Sequence, residues 1–179
     1  MKTKQIILTG LFAALTAVGA MITIPLPFSP VPITLQILFT LLAGIILGSR
    51  YGALSQLIYL FLGGIGLPVF AGGSGGFQAL VGPTAGYLWG FVLAAFVVGL
   101  IAEHRSSLKT DIFAMLIGII LIYLPGMMGL HWIAGLSFSK AFALGVLPFI
   151  PGDLTKVLLA ALIKRQLSSR VPFIFGEEG

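Results

Sequence analysis

The sequence predicts an all-α integral membrane protein with six transmembrane helices and both termini in the cytoplasm. Of its 179 residues, 58% are hydrophobic and only 8% are charged, whereas an ordinary soluble domain has about 25% charged residues. A helix needs roughly 20 mostly apolar residues to cross a bilayer, so the chain has room for about six spans. We therefore exclude a soluble globular protein and expect one transmembrane domain over residues 1–179.

Six apolar runs define the expected spans, and the basic residues define their direction. The runs cover residues 6–24, 32–49, 52–70, 84–102, 110–130 and 148–165. With these spans, eight of the ten Lys and Arg residues fall on one side: Lys2, Lys4, Arg50, Arg105, Lys109, Lys164, Arg165 and Arg170. Because loops rich in Lys and Arg stay cytoplasmic, we expect this side to be inside and the 25–31, 71–83 and 131–147 connections to face out.

The composition also excludes several classes of function. The chain has no cysteine, which removes thiolate nucleophiles, disulfides and Cys-ligated zinc. No segment matches the P-loop pattern, and no paired carboxylates or His–Glu metal motif accompany the few polar residues. The net charge of +5 is explained by basic residues at one membrane face rather than by nucleic-acid binding. We expect no enzyme, no cofactor, no metal site and no nucleic-acid partner.

Most acidic side chains fall in the predicted cytoplasmic segments. Glu103 and Asp111 flank the loop that also holds Arg105 and Lys109, and residues 177 and 178 are glutamates of the tail. We expect these charges to be solvated and to form no site.

Asp153 and Lys156 are different, because they lie at the outer end of the last span. On a helix their spacing places both on one face. Charged side chains within a membrane span carry a high free-energy cost. One interpretation is a helix N-cap by Asp153 with a lysine that snorkels to the interface. The other is a binding site for an anionic group, formed by the ammonium and the first-turn N–H groups. We favour the second, because the helix dipole disfavours a cation there.

A glycine-rich loop is the second candidate region of the site. It contains Gly72, Gly73, Gly75 and Gly76. Such a loop is either flexible or folded so that its backbone approaches a ligand closely. Apolar neighbours, among them Phe70 and Tyr87, favour folding. Gln36, one turn into the second span, is equally a ligand group or a packing residue.

Small residues crowd one side of the first predicted helix. They are Gly10, Ala13, Ala14 and Ala17, and small residues one turn apart let helix backbones approach closely. The strip faces either another subunit or the interior of the bundle, and the sequence favours neither.

Three segments resemble the BioY family, the biotin-specific substrate-capture (S) components of energy-coupling factor (ECF) vitamin transporters. They are IPLPFSPVPITLQ at 24–36, GLPVFAGGSGG at 66–76 continuing into GPTAGYLWGF at 82–91, and PFIPGDLTK at 148–156. The likeness extends over nearly the whole chain, and the three segments occur in the family's order. The resemblance implies an S-component-like bundle of six helices with a biotin pocket near the outer face. It also implies partnership with a transmembrane coupling protein and two cytoplasmic ATPases.

The resemblance also assigns residues. The family's acid and lysine fall on Asp153 and Lys156, its glycine loop falls on 72–76, and its strip toward the coupling protein falls on Ala13 and Ala17. Asp153 would accept the ureido N–H groups of biotin, and Lys156 would pair with the carboxylate or donate to the ureido carbonyl. Aromatic side chains would cover the fused ring.

We therefore expect a multi-pass protein of a bacterial-type plasma membrane that captures biotin for ATP-driven uptake. One alternative is a stand-alone facilitator or secondary transporter of a small organic anion. Another is a membrane assembly subunit that transports nothing.

Overall fold

The computed structural model describes residues 3–104 and 107–170, so residues 1, 2, 105, 106 and the predicted C-terminal tail lie outside the described residues. The described part contains six helical elements: α1 (Thr3–Met21), α2 (Gln36–Gly64), α3 (Ala85–His104), α4 (Leu108–Trp132), α5 (Phe138–Gly145) and α6 (Ile150–Arg170). Between α1 and α2, the strands β1 (Thr23–Ile24) and β2 (Ile33–Thr34) form a short antiparallel pair. Two 3₁₀ turns, Ala71–Gly73 and Phe77–Leu80, occupy the glycine-rich loop.

The helices have the length and composition of membrane spans. Each of α1, α2, α3 and α4 is long and apolar enough to cross a bilayer, and α5 and α6, which meet at a bend of 49°, count together as a fifth candidate. The prediction of an all-helical membrane protein is confirmed at this level. The 131–147 connection, which the sequence gives only as a loop, contains α5.

Helix α2 is folded back on itself at Gly48, where φ +79° and ψ −179° break the helix. A straight helix of 29 residues would be about 43 Å long. Yet Gln36 Nε2 donates to Tyr59 Oη at 2.6 Å, and Thr40 Oγ1 donates to Gln56 Oε1 at 3.2 Å. The two halves of α2 therefore run antiparallel, and they correspond to the second and third apolar runs of the sequence.

Glu103, in the last turn of α3, closes this reversal. Its Oε1 accepts a hydrogen bond from the backbone N–H of Ser49 at 2.8 Å, and Ser49 Oγ donates to the same carboxylate. A carboxylate at the start of a helical segment stabilises its unpaired N–H groups. Glu103 is exposed, as expected, but it also ties α3 to the turn of α2.

Replacing Gly48 with alanine is expected to destabilise the protein by about 1–3 kcal/mol, because only glycine adopts this backbone region without strain. The new Cβ would also lie 2.3 Å from Glu103 Oε1. Gly10→Ala is the matched control, because no atom lies within 4 Å of a Cβ there and φ is ordinary. Thermal unfolding of both purified variants checks this expectation. Equal unfolding temperatures for the two variants would contradict it.

Small residues let α3 and α4 pack closely. A Cβ at Gly86 would lie 1.8 Å from the carbonyl oxygen of Pro125, and one at Gly90 would lie 2.8 Å from the Cα of Ile122. Gly86 and Gly90, four residues apart on α3, therefore serve packing inside the bundle. This close packing places α3 and α4 side by side on one wall of the site described below.

Helix α1 packs against α2 through the face that carries Ala13. The Ala13 side chain is only 2% exposed, and one turn later Thr16 Oγ1 accepts a hydrogen bond from Gln56 at 3.2 Å. Ala17 is half-buried on the same core. Ala13 is therefore already covered by its own chain, which corrects the expectation that it faces a partner. The exposed small residues of α1 are Gly10 and Ala14.

A buried ion pair joins α4 to α6. Lys164 Nζ lies 2.6 Å from Asp111 Oδ2, and the two residues are 6% and 5% exposed. The expectation of a solvated Asp111 is wrong, because its carboxylate is buried and pairs with Lys164 inside the bundle. Asp111 Oδ1 is buried and has no hydrogen-bond partner among the described residues.

Candidate functional site

A cavity of about 460 Å³ lies between the β1–β2 connection, the glycine-rich loop, and helices α2, α3, α4 and α6. Its lining changes along its depth. Pro25, Pro30, Gly72 and Ser74 are exposed and form the mouth. The opposite end is buried and carries the charged side chains. The cavity is therefore a pocket with an open loop rim and a closed polar floor.

Asp153 and Lys156 form the floor. Lys156 Nζ donates to Asp153 Oδ1 at 2.6 Å, and Tyr123 Oη, from α4, donates to Asp153 Oδ2 at 2.5 Å. Asp153 is 1% and Lys156 is 6% exposed. Both carboxylate oxygens thus have a partner, and in the floor of the pocket the opposite charges of Asp153 and Lys156 balance.

Asp153 does not act as a helix N-cap. It is the fourth residue of α6, and its backbone N–H donates to the carbonyl of Phe149 at 2.9 Å as part of the helical ladder. Its carboxylate bonds to Lys156 and to Tyr123 instead of the first-turn N–H groups. Pro151 is the second residue of α6, and in the first turn its missing N–H leaves no helical hydrogen bond unmade.

Aromatic rings form much of the apolar wall. The predicted residues Phe70 and Tyr87 line the cavity, and Phe91 and Phe149 join them. Tyr87 is fixed by a hydrogen bond from its hydroxyl to the carbonyl of Gly145 at 2.8 Å. Phe70 packs edge-on against Tyr59 with ring centroids 5.4 Å apart. Contacts within the protein therefore hold the Phe70 and Tyr87 rings in place.

Gln36 lines the cavity and packs at the same time. Its Oε1 accepts from Thr34 Oγ1 at 2.9 Å, and its Nε2 donates to Tyr59 Oη at 2.6 Å. A primary amide has two N–H donors, so one remains for a ligand. The two interpretations that the sequence left open are compatible in the folded chain.

The glycine-rich loop contributes less of the lining than expected. Gly72 lines the cavity, whereas Gly73, Gly75 and Gly76 do not. A Cβ at Gly75 would lie 2.3 Å from the carbonyl oxygen of Leu67. Gly76 has φ +102° and donates its N–H to Gly63 at 2.7 Å. These two glycines shape the loop, and the loop positions Gly72 and Ser74 at the mouth.

Among the described residues that line the cavity, three side chains keep a donor that forms no hydrogen bond within the protein. Lys156 has three N–H donors, of which one is used by Asp153. Gln36 has its second amide N–H, and the Thr84 hydroxyl makes no side-chain hydrogen bond within the described residues. The cavity therefore offers a few directed polar groups in an apolar surface, as small-molecule sites do.

Sequence reasoning missed Tyr123, Phe91 and Phe149. Tyr123 lies inside an apolar run 30 residues before its partner Asp153, and no local pattern connects them. Phe149 belongs to the PFIPGDLTK segment, so its position next to Asp153 and Lys156 in the sequence is a signal that could have identified it. Phe91 closes the GPTAGYLWGF segment, one turn after Tyr87 on the same helix face.

Comparisons with known proteins agree over nearly the whole chain. The model of the BioY family matches residues 1–173. The biotin transporter BioY of Thermotoga maritima is 46% identical over 92% of this chain and 95% of its own length. The biotin transporter BioY of Rhizobium etli is 44% identical over 97% and 98%. The crystal structure of an S-component for biotin from an ECF-type ABC transporter superposes with a TM-score of 0.88 and 29% identity, over 94% and 93%.

Proposed function

The chain belongs to the BioY family, and we propose that it takes up biotin as the substrate-binding S component of an ECF-type transporter. It is a multi-pass cell membrane protein and not an enzyme. The observation that carries the proposal is the pocket with the buried Asp153–Lys156 pair at its floor. This pocket lies in a fold shared with a biotin S-component over 94% of the chain.

The pocket suits biotin in size and chemistry. Its volume of about 460 Å³ lies within the range of roughly 300–1,000 Å³ that is usual for small-molecule sites. Biotin has an apolar bicyclic ring, which the Phe70, Tyr87 and Phe91 rings are placed to cover. Its ureido group has two N–H donors and one carbonyl acceptor. Asp153 supplies carboxylate acceptors and Lys156 supplies donors within one turn of α6.

We infer that the ureido head, and not the carboxylate, binds at the floor. Asp153 and Lys156 already neutralise each other at 2.6 Å, so a carboxylate there would add an unbalanced charge beside that of Asp153. Removing a carboxylate from water without a charge partner is costly. The ureido group adds no charge and complements both side chains. The biotin carboxylate then lies toward the mouth, where water solvates it.

Titration of the purified protein with biotin tests the proposal, together with uptake in cells with and without the ATPase partners. We expect tight biotin binding by the chain alone and accumulation against a gradient only with the partners. Uptake without any ATPase would favour a stand-alone facilitator or secondary transporter. Absence of biotin binding by folded protein would favour an assembly subunit.

We propose six spans in a single transmembrane domain, with both termini inside. The fold-back of α2 at Gly48 makes two antiparallel segments of one helix. Together with α1, α3, α4 and the bent α5–α6 pair, these give six passes. An even number of passes puts the two termini on the same side, which we assign to the cytoplasm from the distribution of basic residues.

Single cysteines are expected to reveal this topology, because the chain has no native cysteine. Cysteines at Ser107 and Ser169 should resist an impermeant thiol reagent in intact cells, and a cysteine at Ser74 should react. All three positions are exposed in the chain, so burial does not mask the result. Permeabilised cells provide the control, in which all three variants react. Labelling of the Ser107 variant from outside would overturn the topology.

We propose that a transmembrane coupling protein and two cytoplasmic ATPases drive uptake, with α1 as the contact helix. The exposed Gly10 and Ala14 stand one turn apart on the face of α1 that points away from the bundle. They offer a close approach to a partner helix, in place of the buried Ala13. Ala17, being half-buried, lies at the border of that face.

Tryptophan at Ala14 is expected to abolish ATP-driven uptake and co-purification with the partners while biotin binding is retained. Ala13→Trp is the matched comparison one position away. Because Ala13 is buried, the larger side chain overpacks the core at a cost of about 1–3 kcal/mol or more, so folding and binding should fall together. Binding and uptake are measured on the same preparations. If the Ala14 variant keeps full uptake, this face of α1 contacts only lipid.

A further inference from the structure

We propose that the pocket also accepts biotin whose carboxyl group is converted to an amide, so that its substrate class includes biotin amides as well as free biotin. The inference rests on the proposed function, because it concerns what the biotin pocket requires of its ligand. It follows from the distribution of charge along the cavity.

Only the floor of the cavity is ionic. Among the described residues that line it, Asp153 and Lys156 are the only ones with a full charge, and they pair with each other at 2.6 Å. Lys140 and His131, the other basic residues of the predicted outer side, are not part of the lining. A ligand carboxylate directed toward the mouth therefore meets no cation.

The hydroxyl groups near the mouth are largely committed to the protein. Ser29 Oγ donates to the carbonyl of Leu144 at 2.7 Å, and Ser74 Oγ donates to the carbonyl of Ala71 at 3.0 Å. A hydroxyl has only one proton to donate, so these two offer a carboxylate nothing. The Thr84 hydroxyl remains as a neutral donor, and it serves an amide carbonyl as well as a carboxylate.

The rim leaves room for a substituent. Pro25, Pro30, Gly72 and Ser74 line the mouth and are themselves exposed. Gly72 has open space within 4 Å of where a Cβ would lie. A group attached through the carboxyl carbon thus extends into water and displaces no packed side chain. The recognised part of the ligand is the ureido head and the fused ring.

A ligand series on the unmodified, purified chain tests the inference without any variant that might fail to fold. Biotin, biotinamide, ε-biotinyl-lysine and 2-iminobiotin are titrated at pH 7.5. We expect the two amides to bind within tenfold of biotin. We expect 2-iminobiotin to bind more than 100-fold more weakly, because it replaces the ureido carbonyl acceptor with a cationic group that faces Lys156.

Two results of this ligand series would overturn the inference. A charge-assisted contact to the carboxylate would make biotinamide about 10- to 150-fold weaker than biotin, so a loss of tenfold or more overturns the inference. Strong binding of 2-iminobiotin would also overturn it, because the ureido head would then not be at the floor. In both cases biotin itself still binds and the proposed function stands. Failure of biotin to bind contradicts the proposed function instead.

Discussion

Asp153→Asn is expected to weaken biotin binding by roughly 100-fold while the protein remains folded. The substitution keeps the shape of the side chain but removes its charge. A hydrogen bond to a charged group contributes about 1.5–3 kcal/mol, which corresponds to about 10- to 150-fold in affinity. The substitution weakens the contact with the ligand and also the cluster at the pocket floor, because Lys156 and Tyr123 are both positioned by hydrogen bonds to this carboxylate. Calorimetric titration with biotin measures the effect.

Lys156→Met is expected to reduce affinity at least as much. The substitution keeps the apolar stem but removes the donors, and it leaves Asp153 with Tyr123 as its sole polar partner among the described residues. Lys140→Met is the matched control, because Lys140 is exposed and outside the cavity, and its loss should leave affinity unchanged. If Asp153→Asn and Lys156→Met both fold and bind biotin as the unmodified chain does, the pair is structural and the ligand lies elsewhere.

Asp111→Asn is a control that distinguishes an effect on biotin affinity from an effect on protein stability. Asp111 also forms a buried ion pair with a lysine of α6, but it is not part of the cavity lining. We therefore expect this variant to unfold at a lower temperature and to bind biotin with unchanged affinity. A parallel loss of affinity would mean that the floor variants act through stability.

The sequence predicted the membrane class, the family and the charged pair, because each depends on a local signal. Charges are scarce in this chain, so an acid and a base within one turn at the end of a span are conspicuous. The resemblance to BioY proteins is confirmed by the family match. That Asp153 and Lys156 bind the ligand stays a prediction, although the structure places both in one pocket with four of the other seven residues predicted to bind substrate: Gln36, Phe70, Gly72 and Tyr87.

The remaining features depend on which side chains meet in space. Which face of α1 is buried was not predictable, because lipid is as apolar as the interior and both faces of a span carry similar residues. Ala13 and Ala14 differ only in direction, yet one is buried and the other exposed. The Tyr123–Asp153 contact and the pairing of Asp111 with Lys164 join residues 30 and 53 positions apart. No periodicity connects such positions.

These two contacts hold α6 against α4 at two levels. Tyr123 bonds to Asp153 near the pocket floor, and Asp111 bonds to Lys164 about three turns further along both helices. Because the helices run antiparallel, the two contacts fix the register of α6 as well as its distance from α4. The Asp111–Lys164 pair therefore stabilises the packing of α6 against α4 without being part of the cavity lining.

Lys164→Met is expected to lower the free energy of unfolding by about 3–5 kcal/mol, because it leaves the Asp111 carboxylate charged and buried without its cation. The cost is high here since Asp111 Oδ1 already lacks a partner among the described residues. The double variant Asp111→Leu/Lys164→Met removes both charges and fills the space with apolar atoms, so it should recover most of the stability. Thermal unfolding of the purified single and double variants measures both effects. Equal destabilisation of the two would show that the pair acts through geometry and that charge neutralisation contributes little.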